Sequence, residues 1–338
     1  MHFYSDNTAP AAPAFLEALQ ACNLGMAKAY GDDVWSQQLR EAFSVYFERD
    51  VRVFAVSTGT AANALALATL VPPYGAILTT EQSHTLHDEC GACELQSGGA
   101  RLVGLPHHEG RLLPGTLDQY LRDHTPSVHS LQPAAVSVTQ ATECGTVYTP
   151  DALAALSEVA HRHHLPVHMD GARFANALAR LGVSPAALTW KAGVDVLSFG
   201  ATKNGAVTAE AVVFFDPAMT RDFELRRKRA GHLLSKMRYV SAQLLVAVRD
   251  PGFLAAAARA NALAQRLASA AASRLLHPCE ANAVFLRLEP DLKAQLRQQG
   301  FGFYDWGPVS SHGSRFVVSW NQDEDSVERL CAALRAWS

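Results

Sequence analysis

The sequence predicts an α/β fold with a mostly parallel sheet, followed by a smaller α+β unit. Three observations predict it. Short apolar, β-branched runs alternate with helical stretches through the first two thirds of the chain. Two of these runs end close to a lone charged residue, Asp170 after Leu165 to Met169 and Lys203 after Val194 to Phe199. Beyond about Arg238 the pattern changes to one long Ala-rich helix and a few widely spaced strands. The chain therefore divides into an N-terminal segment with a large α/β domain, 1–240, and a small C-terminal α+β domain, 241–338.

Length and composition are consistent with this. The 338 residues suffice for two sizeable units, and 49% hydrophobic against 18% charged residues implies a substantial core. A net charge of -3 gives no electrostatic case for nucleic acid or an anionic membrane surface. The opening Met-His-Phe-Tyr-Ser-Asp-Asn has neither a basic nor an apolar leader region, and no stretch is long and apolar enough for a span. The expectation is a cytoplasmic protein whose six cysteines are reduced thiols.

Taken in order, Tyr4 to Asn7 is polar, and a helix is expected from Ala14 to Cys22. Ala29 to Asp33 reads as a loop before an amphipathic helix, Val34 to Phe47. Val51 to Val56 alternates as a strand. Ser57-Thr58-Gly59-Thr60 follows, then the helical run Ala61 to Leu70. Strand, small polar turn and helix make an anion site, because unpaired N–H groups and the positive helix end face the same point; an ordinary Ser or Thr cap is the plainer alternative. Ala76 to Thr79 is the next strand.

His84, His87, Cys90 and Cys93 invite a zinc reading. On one helix, steps of three would fan them across half the cylinder, which cannot close a tetrahedron, so no metal is expected. Leu102 to Leu105 is a short strand, Leu117 to Arg122 a helix and Ala134 to Thr139 a buried strand that leads into Gln140 to Gly145. Thr149-Pro150 opens a helix to about His164. A helix from Phe174 to Leu181 separates the Asp170 and Lys203 strands, and Ala211 to Phe215 returns beyond the lysine. In the small domain a helix from Phe253 to Leu275 leads to Val284 to Leu288 (strand), Asp291 to Gln299 (helix), Phe316 to Trp320 (strand) and a last helix.

Strands of a parallel sheet present their carboxyl ends on one edge, where ligands bind. Asp170 and Lys203 should meet there. A lysine held in a partly desolvated place has a lowered pKa and becomes a nucleophile. With a carboxylate nearby, this is the arrangement pyridoxal phosphate needs: the lysine holds the aldehyde as an imine, and the carboxylate keeps the pyridine nitrogen protonated so that the ring draws electrons.

At this point the motifs become recognisable. His168-Met-Asp-Gly-Ala-Arg-Phe174, Ser198-Phe-Gly-Ala-Thr-Lys-Asn-Gly205, Ser57-Thr-Gly-Thr-Ala-Ala-Asn63 and Ala29-Tyr-Gly-Asp-Asp33 resemble those of the low-specificity L-threonine aldolases, in order, from about Tyr4 to about Trp320. The resemblance implies the aspartate-aminotransferase-like fold (fold type I) and cleavage of β-hydroxy-α-amino acids to glycine and an aldehyde. It implies Lys203 as the cofactor-binding lysine, Asp170 on the ring nitrogen, and Gly59 and Thr60 on the phosphate. His84 resembles the family's stacking histidine, also a base for the β-hydroxyl; a neutral imidazole suits that task. Glu143 stands where some relatives carry a second histidine, so His84, Glu143 and a water are all open as the base. The substrate carboxylate calls for a guanidinium fork, from Arg173 or Arg315, with Ser5 nearby. Arg238 resembles an arginine that reaches a phosphate, across a subunit interface in a homodimer or homotetramer.

Other readings use the same cofactor: a phenylserine aldolase, a threonine transaldolase or an aminotransferase. A non-catalytic binding protein would be marked by loss of the lysine or the aspartate, and both are present. A nicotinamide dehydrogenase would need a G-x-G-x-x-G after the first strand, which is absent there.

Overall fold

A computed structural model describes residues 1–220 and 222–337. The main sheet has seven strands: β1 (Arg52–Val56), β2 (Gly75–Thr80), β3 (Arg101–Leu105), β4 (Gln132–Thr139), β5 (Val167–Gly171), β6 (Val196–Gly200) and β7 (Glu210–Phe214). Their spatial order is β1-β7-β6-β5-β4-β2-β3. Strands β2 to β6 pair in parallel, and β7 runs antiparallel to both β6 and β1. The carboxyl ends of β1, β4, β5 and β6 therefore share one edge with the amino end of β7.

Thirteen helices surround the two sheets among the described residues: α1 (Pro13–Cys22), α2 (Val34–Tyr46), α3 (Gly59–Leu70), α4 (His84–His87), α5 (Ala92–Ser97), α6 (Pro114–Asp123), α7 (Pro150–Arg162), α8 (Phe174–Leu181), α9 (Phe223–Arg229), α10 (Arg238–Arg249), α11 (Pro251–Ala270), α12 (Pro290–Gln298) and α13 (Glu324–Ala336). Their starts follow from local chemistry. Asp33, Thr58, Thr149, Asp250 and Asp323 each accept a hydrogen bond from a first-turn N–H, and Pro150 and Pro251 open α7 and α11. Helix α3 is buried at every position from Ala61 to Ala68, because it lies between the sheet and α5 and α9. Alanine's small side chain allows that approach.

The opposite face of the sheet carries the largest core, with residues of α1, α2, α7, α8 and α10. Phe199 of β6 meets Phe43 edge-on at 5.3 Å and Phe174 at 6.3 Å. Each such pair adds roughly 0.5–1.5 kcal/mol beyond its buried area, and Phe199 lies four residues before Lys203. The C-terminal sheet, β8 (Ala283–Arg287), β10 (Gly313–Val317) and β9 (Tyr304–Trp306), is antiparallel and has its own core. Phe3 packs in that core, and its backbone bonds Gly302 and Val317.

Several expectations change. The stretch from His84 to Cys93 is not one helix: α4 ends at His87, Cys90 and Gly91 take left-handed conformations, and Cys93 lies on α5. The helix expected to start at Ala61 starts at Gly59. The long helix stops at Ala270, four residues before a 3-10 turn ends at Arg274. The last expected strand sits earlier, at Gly313–Val317, because its polar Gly-Ser-Arg start pairs with β8 and β9. Helices α9 and α10 and strand β9 go beyond the expected elements; four of the seven residues of α9 are Arg or Lys, and β9 has only three residues.

Candidate active site

The shared edge of the sheet opens into a cavity of about 380 Å³. Gly59, Thr60, His84 and Glu143 line it, and so do Asp170, Arg173, Lys203 and Arg315. Seven of these come from the large sheet and its loops, and Arg315 comes from β10 of the small one. Ser5 and Arg238 are not on its wall. The Ser5 hydroxyl caps the turn at Asn7 and touches Asp6, and Arg238 bonds the carbonyl of Gly25.

Lys203 sits in a 3-10 turn, Thr202–Asn204, closed by Gly205 at φ +111°. Burial lowers its pKa, and the Arg173 guanidinium lowers it further; Asp6, Asp170 and Glu210 oppose. Asp170, on the adjacent strand, is buried. Its Oδ2 accepts from Asn63 Nδ2 at 2.8 Å and its Oδ1 from the Ala172 N–H at 3.0 Å. These bonds fix the carboxylate while leaving lone pairs for a further donor.

Thr58 caps α3 by accepting from the Ala61 N–H. Gly59 and Thr60 are then the first helical residues, where N–H groups have no intrahelical partner. A methyl added at Gly59 meets nothing within 4 Å, so the space over this helix start is open.

His84 follows β2 and α4 begins with it. Its N–H donates to Glu143 Oε1 at 2.8 Å, and the Thr139 hydroxyl donates to the same oxygen at 2.7 Å. Glu143 Oε2 is buried with no partner among the described residues, and burial raises this carboxyl's pKa against those two bonds. The His84 ring bonds Glu89, and that bond raises its pKa against desolvation.

Arg173 is already engaged. Its Nε and Nη2 hold Asp6 Oδ2 and Oδ1 at 2.8 and 2.9 Å. Burial pushes the Asp6 carboxyl up, but the charges of Arg173 and Lys203, with hydrogen bonds from Arg173 and Asn282, hold it below the usual range. Arg315 stacks on Tyr304 and Trp306, and its Nε has no partner among the described residues. Burial, then Arg173, lowers its pKa.

Sequence reasoning missed four residues here: Asp6, Asn63, Glu89 and Glu210. Asn63 had a signal, being four residues after Gly59 and so on the same helix face. Glu210 heads β7 opposite Gly200, and burial pushes its carboxyl up to about 7.

The donor set fits pyridoxal phosphate. A helix start with open N–H groups suits the phosphate, a fixed buried carboxylate suits the ring nitrogen, and an amine of lowered pKa suits the aldehyde. Comparison with known proteins agrees. The family model of the beta-eliminating lyases matches residues 2–289. The low specificity L-threonine aldolase of a Pseudomonas species is 43% identical over 99% of this chain and 97% of its own length. That of Pseudomonas aeruginosa is 43% identical over 98% and 96%. The threonine aldolase structure from Leishmania major superposes with a TM-score of 0.93, at 27% identity over 99% of both chains. An aspartate aminotransferase from Rhodobacter sphaeroides shares the fold, with a TM-score of 0.73 at 16% identity over 100% of this chain and 92% of its own. The chain belongs to the beta-eliminating lyase family and, within it, to the low-specificity L-threonine aldolases, which are lyases dependent on pyridoxal phosphate.

Proposed function

We propose that this enzyme cleaves the Cα–Cβ bond of L-threonine, L-allo-threonine and related β-hydroxy-α-amino acids, reversibly, to glycine and an aldehyde. The observation that carries this is the meeting of Lys203, Asp170, His84 and Arg315 around one cavity. Lys203 would hold the cofactor's aldehyde, Asp170 its ring nitrogen, and the N–H groups of Gly59 and Thr60 its phosphate. The bound cofactor supplies an electron sink for the bond being broken. Arg315 and Arg173 bind the substrate carboxylate, with Ser5 behind them through Asp6. His84 takes the proton from the β-hydroxyl at Nε2. Glu143 is the alternative base, directly or through a water; its raised pKa and unpartnered Oε2 support a role that includes a protonated form. A phenylserine preference is the second reading, favoured by the apolar wall of Phe285 and Trp306, whose rings lie 5.2 Å apart.

The proposal extends to assembly. In a homodimer or a tetramer of dimers, Arg238 reaches a neighbour's phosphate site, and the loop Ala29 to Asp32 faces a neighbour's cavity. Exposed Leu24, Met26, Tyr30 and Val34 around that loop support this. A cytoplasmic setting for glycine metabolism is part of the same reading. The division at residue 240 is proposed in the same sense. The separate C-terminal core supports it, while Phe3, helix α10 and the start of α11 cross it.

The test is an absorbance spectrum of the purified protein, then L-threonine and L-allo-threonine with an acetaldehyde readout. The cofactor band should vanish in Lys203→Ala, and acetaldehyde should appear with glycine in the parent. A band without acetaldehyde from either substrate would overturn the substrate reading. No bound cofactor after reconstitution would overturn the site.

A further inference from the structure

Glu89 is among the most buried charged residues beside the cavity: its side chain is 1% exposed, whereas that of His84 is 44% exposed. Glu89 Oε1 lies 2.9 Å from His84 Nδ1 and 2.9 Å from Asn63 Nδ2. Asn63 Nδ2 also donates to Asp170 Oδ2 at 2.8 Å. A carboxylate only accepts, so the Asn63 amide must turn its nitrogen to both carboxylates, one hydrogen to each. Its Oδ1 is accordingly left without a partner among the described residues, as is Glu89 Oε2. An oxygen that already accepts from Asn63 requires a donor from the imidazole as well.

We propose that Glu89 is a positioning residue that holds His84 as its Nδ1–H tautomer and so leaves Nε2 as the basic nitrogen for the reaction. This rests on the reading of His84 as acceptor of the β-hydroxyl proton. In that step the substrate O–H bond breaks, an N–H bond forms at Nε2, and the imidazolium charge is opposed by the Glu89 carboxylate. The same logic orients a histidine beneath a nucleophile in hydrolases: the buried carboxylate fixes tautomer and ring angle and is not itself a proton carrier. Asn63 extends the arrangement. Through one amide it ties the histidine's carboxylate to Asp170, the carboxylate that would hold the cofactor's ring nitrogen, so the two carboxylates keep a common reference. Facing His84 from other elements are Asp170 on β5, Lys203 in the turn after β6 and Glu143 in the loop after β4. Of these only Glu143 bonds it, and through the backbone N–H, so the ring's orientation depends on Glu89.

The test compares the parent, Glu89→Gln and Glu89→Asp as holoenzymes labelled with ¹⁵N-histidine, with His84→Asn assigning the His84 signals. Gln keeps the size of Glu, but its amide can donate or accept and carries no charge. The parent should show His84 as a single Nδ1–H tautomer. In Glu89→Gln both tautomers should appear, and the imidazole should titrate at lower pH. The acid limb of kcat/KM should move in the same direction, and kcat should fall on the order of 10²-fold, with the cofactor band retained. Glu89→Asp should restore the single tautomer in part, and it serves if the Gln variant fails to fold. An unchanged tautomer and titration of His84 in both variants would overturn the proposal. A His84→Asn enzyme with parental rate, beside a tautomer shift in Glu89→Gln, would refute His84 as the base and leave the Glu89 assignment standing.

Discussion

Asp6 offers the sharpest single perturbation, because Asp6→Asn keeps the shape of the side chain and removes what Arg173 needs. A guanidinium fork requires two acceptor oxygens; an amide offers one, and its NH₂ would meet the donors of Arg173 head-on. Asp6 is 1% exposed at the side chain and Arg173 20%. Breaking a fully buried pair costs about 3–5 kcal/mol. The access Arg173 has to the cavity puts the expected loss at the low end, roughly 3 kcal/mol. With an unfolding entropy of about 2.1 cal/mol/K per residue over this chain, that corresponds to a fall in Tm of roughly 4 °C. The functional consequence follows from geometry. Arg173 would keep its charge and lose its orientation, so KM for L-threonine should rise several-fold while kcat changes little. Thermal unfolding followed by circular dichroism, with steady-state kinetics on the same preparation, measures both. A Tm within about 1 °C of the parent, together with an unchanged KM, would refute the claim that this pair holds the carboxylate-binding end of the site.

Two more perturbations test the sheet that carries the site. His168 is fully buried between the hydroxyls of Ser137 and Ser198, each 2.9 Å away, and burial holds its pKa down to about 4. The unfolded chain therefore binds a proton that the folded one refuses between about pH 6.5 and 4, so stability falls as pH drops through that window, by on the order of 3 kcal/mol. Urea midpoints of the parent and His168→Gln across pH 7 to 4 should converge on acidification; parallel curves would contradict the assignment. Gly171→Ala would place a Cβ 2.6 Å from Leu197 Cδ1 and 2.7 Å from the Ser198 carbonyl, forcing β5 and β6 apart beside Asp170. A loss of roughly 1–3 kcal/mol and weaker cofactor binding are expected, measured by unfolding and cofactor titration, while Gly115→Ala, which meets nothing within 4 Å, leaves cofactor binding at the parental level.

How much of the site is legible in the sequence depends on how local its causes are. Asp170, Lys203, Gly59 and Thr60 owe their places to single strand ends and the turns that follow, so a strand reading suffices to bring them to one edge. Asp6 and Asn63 owe theirs to pairings across the fold: Asp6 with Arg173 is 167 residues away in sequence, and Asn63 with Asp170 is 107; Glu89 is five residues from His84 and reaches the site by a turn that breaks the helix between them. Ser5 and Asp6 are indistinguishable by position alone, and only the folded chain gives Asp6 the arginine. Glu210 is a matter of topology: β7 enters the sheet where β6 leaves it, which brings its first residue to the lysine's edge. Helix α10 is not legible for a different reason: Met237 precedes it with no side-chain cap hydrogen bond, so no residue type marks its start.

The missed residues also resolve an apparent conflict in the site's charge. Asp6, Glu89, Asp170, Glu143 and Glu210 surround Lys203, Arg173 and Arg315, which by formal count is an acidic place for a phosphate and a substrate carboxylate. Burial alters that count. It pushes Glu143 and Glu210 towards their neutral forms, Glu210 up to about 7. Asp6 is spent on Arg173, and Glu89 on Asn63 and His84. What faces the cavity with positive charge is then the Arg315 guanidinium, the side of the Arg173 fork that Asp6 leaves free and the positive start of α3, with Asp170 fixed by Asn63 and the Ala172 N–H. A ligand with two anionic groups and one protonated nitrogen matches that set of charges, and a dicationic ligand does not.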